Sequence, residues 1–467
     1  MENLHVYKLL SPDSAGKNKD LLSKKSPEDG LRRVQALLAE WLRMENVVVL
    51  TAAGCSVEAG GRLMAASEEN SLENLVLNTV EHCDISDNAK AIINWRKKNK
   101  HRKGSFEEWL SFLFSANRLV RGEQTPIHSV AWKSVCEGEN SHFLLSLEDE
   151  ETLKKYIEKA IYSECALELN CNELTSKVSK TSGHIPFLAK LMARDTNLGR
   201  THLFTLNYDT LFEQALEELG IQYFDGFSGK ANARFDPAVY GLDIYYPGDV
   251  SEGRIRRFDK FLQFYKLHGS LHWFVEDDGT CRAQHRNLSF AEKYQKSDVV
   301  DKAKKLKAIE YEGIGSLGIL PISQKFAQTL DMPYAHLFRL FHARLNQPQT
   351  FLLVLGYGFG DNHVTRIIET ALMNPSLVML VVEPNPDSEI VERIARYQSL
   401  GQRAFVLTRG QIDQENCSHG VATFSDFARN IMPDVKWLED FKRLKKFENE
   451  IRESKDEEES GKHKGGT

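Results

Sequence analysis

Two short runs, far apart in the sequence, place polar groups directly after an apolar stretch with the character of a β-strand. The first run ends on Asn207 and Asp209, and the second carries His268. An imidazole with a pKa of about 6.5 can accept a proton from a ribose hydroxyl at neutral pH. Simpler interpretations compete, because Asp209 could cap a helix that begins at Thr210 and a lone histidine is more often structural. Asn207 and His268 are the candidate catalytic residues, since ligands bind at the carboxyl ends of parallel strands.

Two glycine-containing turns follow other apolar runs and are candidate nucleotide-binding loops. The first contains Ala53, Gly54 and Ser56, and the second contains Gly356 and Gly358. Small residues let the backbone approach a diphosphate, and the N–H groups at the start of a following helix would supply donors. A glycine turn that only packs a helix on a sheet explains the first turn equally well when it is taken alone.

Three more polar residues stand at strand ends. Glu383 and Asn385 could bond the ribose hydroxyls of a nucleotide. A turn set by the prolines on either side of Asn385 explains both nearly as well. For Asp361, at the end of the second glycine turn, the simpler interpretation is that it does no more than cap the helix that follows.

Short apolar runs alternate with helical patterns in the second half of the chain. Residues 351–356 and 377–383 are apolar runs too short for typical isolated helices, and residues 363–373 between them have helical spacing. Buried strands that alternate with helices indicate a parallel sheet covered on both faces. The sequence therefore predicts an α/β fold, a Rossmann-like doubly wound parallel sheet with a large helical insertion. Residues 404–408 could add an edge strand.

Composition divides the chain into three predicted parts. Residues 1–30 are polar and are predicted to form a flexible N-terminal arm. Residues 31–432 are predicted to form one nucleotide-binding catalytic domain, with a helical insertion at 62–200 that covers the crevice or serves as a structural bundle or oligomer surface. Residues 272–307 are irregular and charged, typical of a loop or small hairpin lobe. Residues 433–467 are predicted to be a C-terminal helix and a charged tail.

Charge and cysteine content exclude several classes of function. The net charge of −6 argues against a surface built to hold nucleic acid, so direct nucleic-acid binding is not expected. The seven cysteines are scattered and include no C-x-x-C pair, which suggests neither a four-thiolate zinc site nor a disulfide framework. The chain has no signal pattern and no apolar run of the ~20 residues that a membrane span needs. We expect a cytoplasmic protein without membrane contact.

Taken together, the motifs resemble the sirtuin-like family, specifically its branch that degrades NAD in bacterial antiphage defence. The resemblance spans residues 47 to about 410 and rests on four motifs in the same order. They are Ala53-Gly54-Cys55-Ser56, Thr205-x-Asn207-Tyr208-Asp209, Leu267-His268-Gly269-Ser270 and Gly356-Tyr357-Gly358-Phe359-Gly360-Asp361.

The resemblance implies a role for each motif. Asn207 would hold the nicotinamide ribose or the attacking water, Asp209 would contact the nicotinamide carboxamide, and His268 would be the base. Gly54, Ser56 and Gly356 would lie along the diphosphate, and residues 31–432 would be a sirtuin-like NAD-binding catalytic domain.

Departures from the family pattern narrow the expected activity. The stretch after Gly60 lacks the Pro-Asp-Phe-Arg run of deacetylating sirtuins, the zinc cysteines are missing, and Gly358 stands where relatives often have Ser. The first two departures disfavour acyl-lysine peptide binding. We therefore expect an NAD glycohydrolase that takes NAD as substrate and holds no zinc.

The resemblance is greatest to the sirtuin-like subunit that pairs with a HerA-type ATPase (helicase), so such a partner and a homo-oligomer are expected. The alternatives are an NAD-dependent protein deacylase or ADP-ribosyltransferase, or a non-catalytic NAD- or ADP-ribose-binding subunit.

Overall fold

A nine-stranded sheet forms the centre of the fold, and a four-stranded antiparallel sheet lies beside it. The computed structural model describes residues 7–12, 18–23, 26–63, 71–98, 106, 109–110, 147–169, 182–195, 197–246, 257–276, 278–285, 288, 290–308, 332–399, 401, 403–410 and 421–434. The strands are β1 (Tyr7–Pro12), β2 (Asn18–Asp20), β3 (Asn46–Thr51), β4 (His202–Thr205), β5 (Gln222–Phe224), β6 (Phe227–Ser228), β7 (Ala233–Phe235), β8 (Phe261–Lys266), β9 (Trp273–Val275), β10 (Cys281–Ala283), β11 (Thr350–Leu355), β12 (Leu377–Glu383) and β13 (Arg403–Arg409).

The order of the large sheet, β2-β1-β13-β12-β11-β3-β4-β8-β5, shows how the chain winds. All neighbours from β13 to β5 are parallel. From β3 the chain builds outward through β4 to β5 at the edge and returns to place β8 between those two strands. It then crosses back to place β11, β12 and β13 on the other side of β3. The winding direction reverses between β3 and β11, which is the switch point where doubly wound sheets bind ligands. The Rossmann-like fold class expected from the sequence is confirmed.

Helices cover both faces of this sheet because its strands are apolar on both sides. In β3, Val47 and Val49 join one buried cluster while Val48 and Leu50 join the other. The helices are α1 (Pro27–Trp41), α2 (Leu72–Glu81), α3 (Asp87–Lys98), α4 (Leu147–Cys165), α5 (His184–Leu191), α6 (Leu211–Glu218), α7 (Ala291–Gln295), α8 (Val299–Ala308), α9 (Tyr334–Leu345), α10 (Asn362–Ala371), α11 (Glu389–Ser399) and α12 (Phe424–Asp426). The first cluster contains α1, α5, α6 and the C-terminal turns, and the second contains α9, α10 and α11.

A helical lobe with its own apolar core packs beside the sheet. Its cluster joins α2, α3 and α4 to α7 and α8, and it includes Leu271 and the ring of Tyr208. The structure thus differs from the predicted insertion at residues 62–200 in two respects. Helix α5 lies within that range but packs on the sheet through Phe187 and Leu188, and α7 and α8 come from the stretch expected to be a loop or hairpin.

The N-terminal residues also differ from the flexible arm predicted for residues 1–30. Strand β1 pairs antiparallel with β13, and β2 pairs with β1. The described part of the arm is ordered because Leu9, Leu10 and Leu22 are buried, which offsets the entropy of fixing the chain. As a result β13 is covered on both sides and is not the edge strand. The predicted helix and tail beyond residue 434 lie outside the described residues.

None of the helices in the described ranges combines the length and apolar character that a membrane crossing requires.

The carboxyl group of Glu158 on α4 makes the stability of the helical lobe depend on pH. Burial raises its pKa from 4.5 to about 7, although Lys154 at 3.9 Å opposes the shift. Because the folded pKa lies above the unfolded value, the stability that Glu158 contributes as a neutral carboxyl group is complete below pH 4.5. This stability is lost as the pH rises through 7.

We therefore expect Glu158→Gln to gain stability relative to the wild type by about 3 kcal/mol between pH 4.5 and pH 8. Urea unfolding followed by circular dichroism at several pH values measures this difference. The exposed Glu148 on the same helix provides the matched control, because Glu148→Gln removes a carboxyl group that is not buried. A constant difference for Glu158→Gln across the range would contradict the assignment.

Candidate functional site

The polar motifs meet at the carboxyl edge of the large sheet. One row of paired positions crosses β11, β3, β4 and β8, and it consists of Leu355, Thr51, Thr205 and Lys266. Asn207 lies two residues after Thr205, and His268 lies two residues after Lys266 on the neighbouring strand. Parallel register therefore brings together segments that are up to about 300 residues apart in sequence.

The side chain of Asn207 is held by the first glycine loop. Its Nδ2 donates to the carbonyl oxygen of Ala52 at 3.1 Å and to Oγ of Ser56 at 2.9 Å. Its backbone N–H donates to Oγ1 of Thr205 at 3.2 Å. The two side-chain bonds use both amide hydrogens, so the amide oxygen is the part of the group left to accept a hydrogen bond from a ligand.

Ser56 connects Asn207 to Asp209. Its hydroxyl accepts from Asn207 and donates to Oδ2 of Asp209 at 2.7 Å, and all three residues are buried. The other oxygen, Oδ1, accepts from the N–H of Leu211 at 3.2 Å at the start of α6. Asp209 thus serves the helix start and the polar network together. Burial raises the pKa of Asp209, against the opposing effects of the Lys266 charge and the hydrogen bonds from Ser56 and Leu211.

A buried ion pair supports this turn from behind. The ammonium of Lys266 lies 2.7 Å from Oε1 of Glu213 and also donates to the backbone carbonyl of Asp209. Burial raises the pKa of Glu213 to about 7, and the Lys266 charge opposes that shift. The sequence analysis did not select Lys266. The available signal was a single charged residue at the end of a strand whose other residues are uncharged, because a buried charge requires a partner.

His268 faces a carboxylate from the second glycine loop. Its Nε2 lies 3.1 Å from Oδ2 of Asp361, and the two side chains are 7% and 12% exposed. The contact is an ion pair when the imidazole is protonated. Rings of Tyr208 and Phe338 lie 6.5 Å and 6.4 Å from the imidazole.

The capping role considered for Asp361 is present as well. Its Oδ1 accepts from the N–H groups of His363 at 2.9 Å and Val364 at 3.4 Å, at the start of α10. The positive end of this helix is therefore already met by a carboxylate, so a phosphate placed there would meet a like charge.

The two glycine loops pack backbone against backbone at the switch point. A Cβ atom on Gly54 would lie 2.6 Å from Cα of Gly356, whose own φ is +64°. The N–H of Gly54 donates to the carbonyl oxygen of Gly356 at 3.0 Å, and the N–H of Ser56 bonds within the loop to Ala53. Loop packing thus accounts for both glycines, and their contact with a diphosphate stays a prediction. Gly358 has open space around its Cα.

The helix expected directly after the first loop is replaced by two single-turn 3₁₀ helices, Ala53–Cys55 and Val57–Ala59. The second ends at Gly60, whose φ of +97° belongs to the left-handed region. The next described helix, α2, begins 12 residues beyond Gly60. A helix N-terminus aimed at a phosphate is therefore not observed immediately after this loop.

Glu383 and Asn385 form the turn after β12, on the far side of β11 from β3. Oε1 of Glu383 accepts from the backbone of Asn385 at 2.9 Å, and Oδ1 of Asn385 accepts from the backbone of Asp387 at 3.1 Å. Burial raises the pKa of Glu383. Both side chains serve the local turn, and their contact with a ribose stays a prediction.

A link to the C-terminal turns was missed because nothing local in the sequence signals it. The carboxylate of Glu58 accepts from Oγ1 of Thr423 at 3.0 Å and from the N–H of Ser425 at 2.9 Å. The first glycine loop is thereby tied to α12.

In the described part of the chain, no three histidine, cysteine, aspartate or glutamate side chains form a group that could hold a metal ion.

Comparison with known families supports the sirtuin-like part of the resemblance. A family model for the SIR2-like domain matches residues 201–401, a range that contains Asn207, Asp209, His268 and the second glycine loop but not the first. The match supports a sirtuin-like family and an NAD-utilising enzyme in general. A search of curated proteins finds no match to the chain.

The contact between the glycine loops predicts that Gly54→Ala is damaging. The added methyl group would overlap the backbone of Gly356, and such overpacking typically costs about 1–3 kcal/mol. Thermal unfolding should show a clear loss of stability. Gly360→Ala is the matched control, because nothing lies within 4 Å of its added atom. Equal melting temperatures for the two variants would contradict the packing role.

The buried pair predicts a strong effect for Lys266→Met. This change strands the carboxylate of Glu213 and should cost about 3–5 kcal/mol of unfolding free energy. The double variant Lys266→Met with Glu213→Leu should recover most of the loss in urea unfolding. Lys296→Met is the control, because its pair with Glu292 is solvent-exposed and should hardly affect stability. A single variant as stable as the double would refute the pairing.

Proposed function

We propose that this chain, whose residues 201–401 match a SIR2-like domain, is an NAD glycohydrolase that cleaves NAD to nicotinamide and ADP-ribose. The observation that carries the proposal is the buried network in which Asn207 bonds Ser56 and Ser56 bonds Asp209. It joins two of the motifs into one site. His268, from the third motif, follows the adjacent strand β8 and faces Asp361 from the fourth motif.

The reaction breaks the bond between the nicotinamide nitrogen and C1 of the ribose. The bonding electron pair leaves with nicotinamide, which becomes neutral, and the ribose carbon takes on oxocarbenium character. Water then bonds to that carbon and its proton is released, so that NAD⁺ and water yield nicotinamide, ADP-ribose and H⁺. In this scheme His268 accepts the proton from the ribose hydroxyl or the water, and the amide oxygen of Asn207 orients the same group.

Positioning and charge do the rest of the catalytic work in this proposal. The buried carboxyl of Asp209 accepts a hydrogen bond from the nicotinamide carboxamide. Ala53, Gly54, Ser56, Gly356 and Gly358 line the diphosphate. An oxocarbenium-like ribose is cationic, so nearby carboxylates in a site of low exposure stabilise it.

Glu383 and Asn385 complete the proposed nucleotide site by bonding the ribose hydroxyls at the end of β12. Both are held in a turn at the carboxyl edge of the sheet, which is the edge where nucleotides bind in folds of this type.

The biological setting is proposed from the resemblance of the motifs. The chain would act in the cytoplasm as a homo-oligomeric antiphage effector, and assembly with a HerA-type ATPase would activate it. Because the Pro-Asp-Phe-Arg run is lacking after Gly60, water is the acceptor we propose, in place of an acyl-lysine peptide.

The test is an NAD cleavage assay on the purified chain, with and without a HerA-type ATPase, with nicotinamide and ADP-ribose quantified by chromatography. We expect His268→Ala to lower the rate by at least about 10²-fold, the usual range for loss of an acid–base group. We expect Asn207→Ala to lower the rate by about 10²-fold as well, because the reacting group loses its orientation. The matched controls are Asn232→Ala and His342→Ala, which change exposed side chains outside the site, and both should retain the wild-type rate.

Undiminished NAD loss in the Asn207 and His268 variants would reject the residue assignments. ADP-ribose found on a protein acceptor, or NAD-dependent loss of an acyl group from a peptide, would replace hydrolysis by transfer or deacylation. ADP-ribose binding by calorimetry without nicotinamide release under any condition would make the chain a binding subunit.

A further inference from the structure

The carboxylate of Asp361 divides its two oxygens between two elements. Oδ1 receives the first N–H groups of α10, and Oδ2 lies 3.1 Å from Nε2 of His268 at the end of β8. In the sheet, β11 and β8 are separated by β3 and β4, which corresponds to about 14 Å at the usual strand spacing. The loop after β11 therefore reaches across the ends of β3 and β4 to bring Asp361 to His268.

We infer that Asp361 is a positioning residue for His268, holding the imidazole through its Nε2 edge and compensating the charge that the ring acquires when it takes a proton. The inference rests on the proposed function, in which His268 accepts that proton.

Asp361 itself is rigidly placed. The hydroxyl of Tyr357 donates to its carbonyl oxygen at 2.9 Å and lies 2.8 Å from Oγ1 of Thr365, one turn into α10. Phe359, within the same loop, is 3% exposed. A carboxylate fixed at both its backbone and its Oδ1 can define the position of a neighbouring ring, which a mobile side chain cannot.

The surroundings make this contact effective. Phe338 packs near the imidazole of His268 and against the ring of His363 at 4.5 Å. Apolar rings and low exposure reduce screening, so a charge 3.1 Å away acts strongly on the imidazole. Of the two neutral forms of the ring, the carboxylate favours the one with its proton on Nε2, which leaves the lone pair on Nδ1. Catalytic hydrogen bonds often align fully only when substrate is bound.

A capping role alone is the competing explanation, and Asp361→Asn separates the two. Asparagine caps helices about as well as aspartate, so the variant should keep the wild-type melting temperature while losing the charge. We expect kcat for NAD cleavage to fall by roughly 10²-fold or more, as when a carboxylate behind a catalytic histidine is neutralised, with KM within about threefold. Asp361→Ala loses the cap as well and should also melt a few degrees lower.

The second readout does not require turnover. In ¹⁵N-histidine-labelled protein at a pH where the ring is neutral, the His268 signals, assigned with His268→Gln, should be those of the Nε2–H form. In Asp361→Asn they should shift towards a mixture of both forms. His363 also lies in the field of Asp361 and must be assigned separately. Asp236→Asn is the control, because Asp236 caps the turn at Pro237–Gly241 through Ala238 and should leave the His268 signals and kcat unchanged.

The outcomes are distinct. Wild-type nitrogen signals of His268 in Asp361→Asn would overturn the inference, and so would a wild-type kcat if NAD is cleaved. If no NAD is cleaved under any condition, the proposed function fails, and the nitrogen signals alone still decide whether Asp361 sets the ring.

Discussion

The contact between the backbones of Gly54 and Gly356 is the constraint on which the rest of the site depends. It occurs where the winding of the sheet reverses, and it leaves no room for a Cβ atom on either residue. One loop then delivers Ser56 to Asn207 and Asp209, and the other delivers Asp361 to His268. A larger side chain at this point would separate two sets of polar groups that, under the proposed function, act on one ligand.

Charge compensation is the second organising feature. Asp209 and Glu213 are carboxyl groups in a region of low exposure, and Lys266 is the cation that stabilises both. Such a cluster is costly to assemble, because each buried charge loses its hydration. Under the proposed function that cost has a use, because the pyridinium and the oxocarbenium-like ribose are both cationic. The turn from Asn207 to Asp209 is therefore held by Lys266 as well as by Ser56 of the first glycine loop.

Elements remote in sequence pack around the carboxyl edge of the large sheet. The helical lobe packs on Tyr208 and Leu271, beside the turn and the strand end that carry the candidate catalytic residues. Glu58 ties the first glycine loop to the C-terminal turns. The lobe also includes α7 and α8, whose helical character is weak in the sequence because charged residues dominate. Their few apolar side chains, Tyr294 and Leu306 among them, order only by packing in a core supplied by other segments.

The sequence by itself determined the fold class and the existence of the motifs, because strand periodicity, continuous apolar runs and turn residues are local properties. The buried strands and the helix Asn362–Ala371, predicted at residues 363–373, are of this kind. Only the tertiary structure decided which polar groups meet. The hydrogen bond between Ser56 and Asp209 spans 153 residues, and no local pattern encodes such a distance. The ordering of β1, the buried partner of Lys266 and the second use of Asp361 also arise from packing, since each depends on what the folded chain places opposite that residue.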